Sequence, residues 1–419
     1  MSEKYTLTYP DIDEGFGRTK ELLEELREIY KSGCAEGGGE ILSLIDLLSS
    51  EERLSCVSML PRQDSAADRL SREAAVFFST LRHAPGPLLG RLAAAHGWDD
   101  IPLHVGCLGS ATGAIFAALR ANGIESGEVI TTSLNYVGVP NAIALAGAVP
   151  RFVDVDPHTW CMDPKALESA VSAKTRAIIL THVNRMADLE PFHEVLTKKG
   201  LDVPVIQDAS LAWGSTYQGM RPGFLNLGTG GVTVLSLAPS KIVCGFGGAV
   251  FTTHDLELLN RMVEIGYQGL LLHDQTTVGH HGANLRMNEL SAAVAIMQLK
   301  RFDELVTKRR CVQELYDQHL EPAVQKGTVI LQELGDEASV THYMVLVPDR
   351  NALAERVYRK HGVLLYMWHA HHRQKLYAGS AVQLPVTDEI AGKITLLPFH
   401  TKLLEEDVAF ICDALLEEL

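Results

Sequence analysis

Lys241 is the residue of this chain best placed for covalent chemistry. It lies in the run from Val234 to Val250, VLSLAPSKIVCGFGGAV, after one apolar stretch and before a glycine-rich turn and another. That spacing puts the amine at a strand mouth, where desolvation lowers an ammonium pKa toward neutrality and frees the amine to form a Schiff base with a carbonyl. An isolated lysine there would be a solvated loop residue, so its companions decide. Asp208 ends the run Val205-Ile-Gln-Asp, at the carboxyl end of an apolar strand, where open α/β sheets place ligands. A carboxylate buried there needs a cation, and a protonated ring nitrogen would serve. The competing role is a cap on the following turn. The run from Gly106 to Ile115, GCLGSATGAI, is a small-residue turn opening a helix, whose free N–H groups and positive dipole end suit a phosphate. Such helix starts are also common for purely structural reasons. Ser236, five residues before Lys241, could offer its hydroxyl to the same phosphate.

Positioning these groups requires a sheet covered by helices. Apolar runs at Glu128–Ser133, Val149–Val155, Arg176–Val183, Pro204–Ser210, Val232–Pro239 and Gly248–His254 read as buried strands. Between them lie helical stretches at Gly113–Asn122, Val139–Ala146, Pro164–Ala173 and Leu189–Lys199, with Asp163 placed to cap and Pro164 suited to the first helical position. The fold class is α/β, with a mostly parallel mixed sheet in a large domain. A long helix over Asn288–Gln318 is expected to bridge to a small α+β domain holding a strand at Tyr343–Pro348, a helix at Asn351–His361, a strand at Val363–Met367 and a closing helix at Glu405–Glu418. The division reads as an N-terminal extension over 1–85, a large domain over 86–305 and a small one over 306–419. Within the extension, helical segments are expected at Thr19–Ser32 and Ala66–Leu81, with a glycine-rich turn at Gly37–Gly39.

Composition narrows the function. Fifty-two acidic against 37 basic residues leave a net charge of −15, and no basic cluster stands ready to release phosphate counterions, which argues against a nucleic-acid partner. Apolar stretches stop well short of a membrane span. The start, MSEKYTLTYPDIDEG, is acidic where a secretory signal would be basic, so a cytoplasmic location is expected. Seven scattered cysteines without a CxxC spacing suggest reduced thiols, with neither a disulfide framework nor a zinc site.

In this order, the motifs resemble the pyridoxal-phosphate-dependent sugar aminotransferases of the DegT/StrS family, of the fold-type I architecture, closely over Pro85–Ser291 and loosely beyond. The resemblance implies pyridoxal 5'-phosphate as cofactor, Lys241 as its Schiff-base lysine and Asp208, in Gln207-Asp208-Ala209-Ser210, as the partner of its ring nitrogen. It places the phosphate turn on Ser110-Ala111-Thr112, the ring-stacking aromatic on Tyr136, further cofactor contacts on His182, Ser210 and Ser236, and a phosphate contact from a neighbouring subunit on Asn284 of Gly282-Ala-Asn-Leu-Arg-Met. A homodimer follows, as does transfer of an amino group from L-glutamate or L-glutamine to a keto sugar, nucleotide-sugar or keto-cyclitol. Two departures stand out. Leu211 sits three residues after Asp208, where the family has Gln or His near the cofactor's phenolic oxygen. The turn His182-Val-Asn-Arg185 is a residue shorter than the family's, and puts Arg185 in place of a glycine, able to meet a carboxylate or phosphate. These departures motivate the alternative of a dehydratase, lyase, decarboxylase or carbon–carbon bond-forming enzyme on the same cofactor; a non-catalytic regulatory protein is the alternative of another class. The cluster Trp368-His369-Ala-His371-His372-Arg373 is read as substrate contacts, chiefly through His369 and His371, and not as a metal site, since no Asp, Glu or Cys stands at a useful spacing. His280 and His281 are expected to line the dimer cleft.

Overall fold

The computed structural model describes residues 66–79 and 103–419 except 225, 275 and 379–381; the expected features at Thr19–Ser32 and Gly37–Gly39 lie outside these. Gln63–Leu419 forms one compact unit. Helix α1 (Ala66–Ser79) comes first. The main sheet then holds β1 (His104–Leu108), β2 (Glu128–Thr132), β3 (Val149–Val153), β4 (Thr175–Thr181), β5 (Val205–Asp208), β6 (Val232–Ser236) and β7 (Ala249–Thr253), in the spatial order β1-β7-β6-β5-β4-β2-β3. Strands β6, β5, β4, β2 and β3 run parallel, and β7 lies antiparallel to both its neighbours. Helices α2 (Ala111–Ala121), α3 (Gly138–Leu145), α4 (Pro164–Ala170), α5 (Leu189–Lys199) and α6 (Leu256–Gly266) accompany the sheet.

The central strands are buried from end to end, as expected when both faces are covered, so their sequences read as continuous apolar runs. Successive side chains of β4 feed opposite cores. Ala177 and Ile179 pack with residues of α2, α3 and α6, whereas Ile178 and Leu180 pack with those of α5. The caps follow the sequence: Ser110, Asp163, Asp188 and Asp255 each accept a first-turn amide, and Pro164 opens α4.

Two expectations are corrected, and one strand was missed. The long helix is two, α7 (Glu289–Lys300) and α8 (Phe302–Gln325), because Arg301 leaves the helical region at φ −101°, ψ 11°. The break lets Phe302 bury itself edge-on against Phe77 of α1, centroids 4.6 Å apart. Packing made this break; no Pro or Gly announced it. The strand expected at Val363–Met367 reduces to one bridge, Tyr366 with Leu396. Strand β1 was not anticipated because His104-Val-Gly-Cys-Leu is a weak strand sequence. Its Gly106 is required, since a Cβ there would overlap the Phe251 ring of β7.

The second sheet is antiparallel, in the order β10 (Ile394–Leu396), β9 (Met344–Leu346), β8 (Ile330–Leu331). Helices α8, α9 (Arg350–His361) and α11 (Glu405–Glu418) share its core with Val345, while α10 (Pro385–Lys393) leads into β10. Asp154, just past β3, binds this part of the chain by accepting the amides of Val386 and Thr387, at 3.1 and 2.6 Å.

Trp213 couples the packing to the sheet's working end. Its ring stacks on Phe78 of α1, centroids 5.8 Å apart, and its indole N–H donates to the Ser236 carbonyl at 2.7 Å. Trp213→Phe should keep most of the apolar contact but leave that buried carbonyl without its donor, costing about 1–3 kcal/mol. Urea denaturation measures it, and an unchanged midpoint would remove the bond from the account.

Candidate active site

The carboxyl ends of β2, β4, β5 and β6 lie along one edge of the sheet. In register, Thr181 faces Asp208, and Asp208 faces Val234. Asp208 is 6% exposed. Its Oδ1 accepts the Ser210 amide at 3.1 Å, and the Ser210 hydroxyl accepts the Ser236 amide at 3.2 Å, which locks the ends of β5 and β6 together. Burial pushes the Asp208 carboxyl above the usual carboxylate range, against the Ser210 bonds and the Lys241 charge. A carboxylate in that state gains from a further cation.

Lys241 follows β6 at the tip of a closed loop. Its amide donates to the Ala238 carbonyl at 2.9 Å, and the Gly245 and Gly247 amides both return to the Leu237 carbonyl, at 2.8 and 3.2 Å. Some of the side chain still meets solvent, yet enough protein surrounds it that desolvation lowers its pKa to about 8, with Asp208 opposing and Arg309 assisting. The sequence-based expectation of a near-neutral amine thus has its physical cause.

Next to these groups is an anion cradle. Ser110 caps α2 by accepting the Gly113 amide at 3.0 Å, while the amides of Ala111 and Thr112 carry no hydrogen bond among the described residues. Two free amides at a helix N-terminus suit a phosphate. Ser110 also bridges to Gly248, whose carbonyl takes the Leu237 amide at 2.9 Å, so the cradle and the Ser236 end of β6 share this edge. Tyr136 is 71% exposed. A Cβ on Gly138 would overlap the Thr112 hydroxyl and lie 3.1 Å from the Tyr136 ring, so the aromatic side chain and the cradle meet there. A desolvated carboxylate, a near-neutral amine, free helix-start amides and an exposed aromatic ring fit pyridoxal phosphate as a donor set: Asp208 for a ring N–H, Lys241 for the carbonyl, Ala111, Thr112 and Ser236 for the phosphate, and Tyr136 for the ring face.

Other expected residues hold the frame. His182 is fully buried, its Nδ1 accepting the Ala187 amide at 3.0 Å and its Nε2 donating to Gln207 Oε1 at 2.9 Å. Burial lowers its pKa to about 4, and both nitrogens are spent on the protein, so its geometry positions the strand before Asp208. Arg185 donates to the Glu333 carbonyl at 2.9 Å and the Met186 carbonyl at 3.3 Å, which makes it a loop staple. His371 is buried and donates from Nε2 to the Asn135 carbonyl at 2.7 Å. Its amide and that of His372 donate to the carbonyl and hydroxyl of Ser133, at 3.1 and 3.0 Å. These two histidines therefore clamp the loop that carries Tyr136, while His369 is exposed. Among the described residues no group of three His, Cys, Asp or Glu could hold a metal. Asn284 is exposed, and the Leu285 carbonyl beside it accepts the Gly109 amide at 2.5 Å. His280 pairs with Glu264 at 2.9 Å.

Two residues here escaped sequence reasoning. Arg309, buried on α8, donates to the Thr341 carbonyl at 3.0 Å, and the next residue, His342, feels both Lys241 and Arg309. Neither stands in a recognisable spacing; the one signal was that Arg309 falls on the apolar stripe of α8, between Leu305 and Val312.

The amine state is directly measurable. The pH dependence of Lys241 acylation in cofactor-free protein, followed by mass spectrometry, should show a midpoint near 8. Asp208→Asn removes the charge that favours the ammonium, so the midpoint should move lower. A wild-type midpoint near the ordinary lysine value of 10.5 would contradict the desolvation argument.

A relative named UDP-2-acetamido-2-deoxy-3-oxo-D-glucuronate aminotransferase, from Pseudomonas aeruginosa, is 33% identical over 74% of this chain and 85% of its own length. A relative from Geobacillus stearothermophilus, named pleiotropic regulatory protein, is 32% identical over 75% of this chain and 84% of its own. The crystal structure of the sugar aminotransferase CalS13 from Micromonospora echinospora superposes with a TM-score of 0.67 at 26% identity, covering 86% of this chain and 98% of that one. The model of the DegT/DnrJ/EryC1/StrS aminotransferase family matches residues 101–416. The chain belongs to the DegT/DnrJ/EryC1/StrS aminotransferase family.

Proposed function

We propose that this chain moves an amino group from L-glutamate or L-glutamine to a keto sugar, a nucleotide-linked keto sugar or a keto-cyclitol in natural-product biosynthesis, using pyridoxal phosphate. The observation that carries the reading is the pairing of a desolvated Asp208 with a Lys241 whose pKa falls to about 8. When bound, pyridoxal phosphate supplies an electron sink for the carbon next to the reacting nitrogen. With a pKa of about 8, roughly a tenth of Lys241 is free amine at pH 7. That fraction is the nucleophile and the base, taking a proton from the donor's Cα and returning it later. Asp208 would keep the ring nitrogen protonated, and His182 and Gln207 hold the strand that presents it.

We read Asn284, exposed beside the cradle, as reaching the neighbouring site of a homodimer, and the chain as a large domain over 86–305 followed by a small one over 306–419. Among the described residues no helix is long and apolar enough to cross a membrane. Among the described residues the cysteines at 107, 161, 244, 311 and 412 form no disulfide, and we read the chain as cytoplasmic. Arg185 had favoured a different reaction on the same cofactor, and its bonds to backbone carbonyls weaken that motive. A regulatory protein has no physical need for an electron sink, so the Lys241–Asp208 pair favours catalysis.

Lys241→Ala should fold, with a wild-type circular-dichroism spectrum, and form no 2-oxo acid from L-glutamate or L-glutamine, while the wild type forms one per active site from one of these donors in a single half-reaction. An active variant would overturn the assignment. A wild type that forms none with any amino donor would favour the dehydratase or lyase alternative.

A further inference from the structure

A cavity of about 140 Å3 lies between α8, the stretch after β8 and the segment leading into β9. Its apolar wall is Leu331, Leu334, Val340 and Met344. Asp317, Gln313 and Tyr343 face them with polar groups. The Tyr343 hydroxyl donates to Asp317 Oδ1 at 2.6 Å, and the Gln313 amide stands 3.4 Å from Oδ2. The direct partners of this carboxylate are thus neutral donors, one of them distant, and burial pushes its pKa above the usual carboxylate range. His342 lines the same cavity. Neither of its ring nitrogens carries a hydrogen bond among the described residues, and burial, with the charges of Lys241 and Arg309, keeps the ring neutral.

This histidine is fixed with unusual care for a residue making no side-chain bond. Asn184 Oδ1 accepts the amides of Thr341 and His342 at 3.0 and 3.2 Å, and its Nδ2 donates to the His342 carbonyl at 2.8 Å. The Thr341 hydroxyl donates to the Leu211 carbonyl at 3.0 Å, and Arg309 holds the Thr341 carbonyl. The clamps of Asn184 and Leu211 come from the loops after β4 and β5, the strands that present His182 and Asp208, and that of Arg309 from α8. The result is a neutral imidazole, one donor and one acceptor, held between the field of Lys241 and a half-apolar cavity ending in a carboxylate.

We propose that this cavity is a specificity subsite for a neutral polyol edge, the hydroxylated side of one pyranose-like ring, with Asp317 and His342 reading its hydroxyl groups and the Leu331–Met344 wall covering its C–H face. The chemistry selects the class. Lone pairs on Asp317 and Gln313 accept from hydroxyls, the neutral imidazole both donates and accepts, and the aliphatic wall suits a ring's apolar face. The volume is close to the ~150 Å3 of a cavity that holds one benzene ring, enough for the hydroxylated edge of one ring and far too little for a nucleotide. A nucleotide carrier would remain outside. The proposal rests on the reading of the site as a sugar aminotransferase and adds which residues choose the sugar.

The test is binding of methyl glycosides, which have no amine and cannot react at Lys241. Saturation-transfer titration of the cofactor-loaded full chain with methyl gluco-, galacto- and mannopyranosides and their monodeoxy analogues should find one parent whose binding weakens about five- to tenfold on loss of one hydroxyl, the scale of one hydrogen bond. Asp317→Asn should weaken that parent by a similar factor and leave the deoxy analogue unchanged. Leu334→Trp, which fills the cavity from its wall, should abolish binding and serves if the first variant does not fold. Binding unaffected by either variant, or no binding of any glycoside, would overturn the subsite. The half-reactions with L-glutamate and L-glutamine are measured on the same samples. Protein that turns over either donor but ignores the glycosides loses the subsite alone, whereas a wild type that turns over neither removes the underlying reading.

Discussion

Everything at the working end of this protein depends on burying a carboxylate and an amine at the ends of neighbouring parallel strands. Desolvation raises the Asp208 carboxyl and lowers the Lys241 amine, and each group's charge only partly restores the other. A protein gains nothing in stability from such a pair. On the proposed reading its use is chemical: the amine would be a nucleophile near neutral pH, and the carboxylate a strong partner for a cationic ring. The sheet makes this tolerable by fixing both positions through the backbone, with Ser210 joining the two strand ends before either side chain is considered.

The loops that follow those strands act mainly as scaffolding. His182 spends both nitrogens on the protein, Arg185 staples its own turn, and Asn184 grips the segment that carries His342. On the other side, His371 and His372 grip the Ser133–Asn135 loop and so fix where Tyr136 begins. Residues with chemical side chains therefore place other residues. This is what a preorganised site requires, since a small displacement of the reacting groups costs more rate than any one of these bonds is worth in stability.

How much of this the sequence disclosed follows from what kind of signal each part leaves. Strands β4 to β7 were legible because burial on both faces favours apolar runs, and α4 because Asp163 and Pro164 mark its start. Strand β1 was not, since its pairing with β7 overrides a sequence containing His104 and Gly106. The break at Arg301 was hidden because it comes from the burial of Phe302 and leaves the helical periodicity intact. For the proposed site, Lys241, Asp208 and the turn at Ser110 could be singled out in the sequence because their chemistry is tied to local strand and helix ends. His342 and Arg309 were missed because their relevance arises only when α8 and the segment before β9 fold back over the sheet. The hydrogen-bond partners of Arg185 and His371 were hidden for the same reason. Their residue types suggested anion contacts, while their bonding partners, the backbone carbonyls of Glu333 and Asn135, are distant in sequence.

The most direct test of the central claim is the rate at which L-glutamate bleaches the visible cofactor band of the purified chain, compared between wild type and Asp208→Asn. If the buried charge of Asp208 is what makes the ring an electron sink, the variant should retain its cofactor and bleach on the order of 100-fold more slowly or worse, the scale of losing one preorganised electrostatic group. Bleaching of Asp208→Asn at the wild-type rate would contradict the account, because the carboxylate whose burial organises this end of the sheet would then have no part in the chemistry.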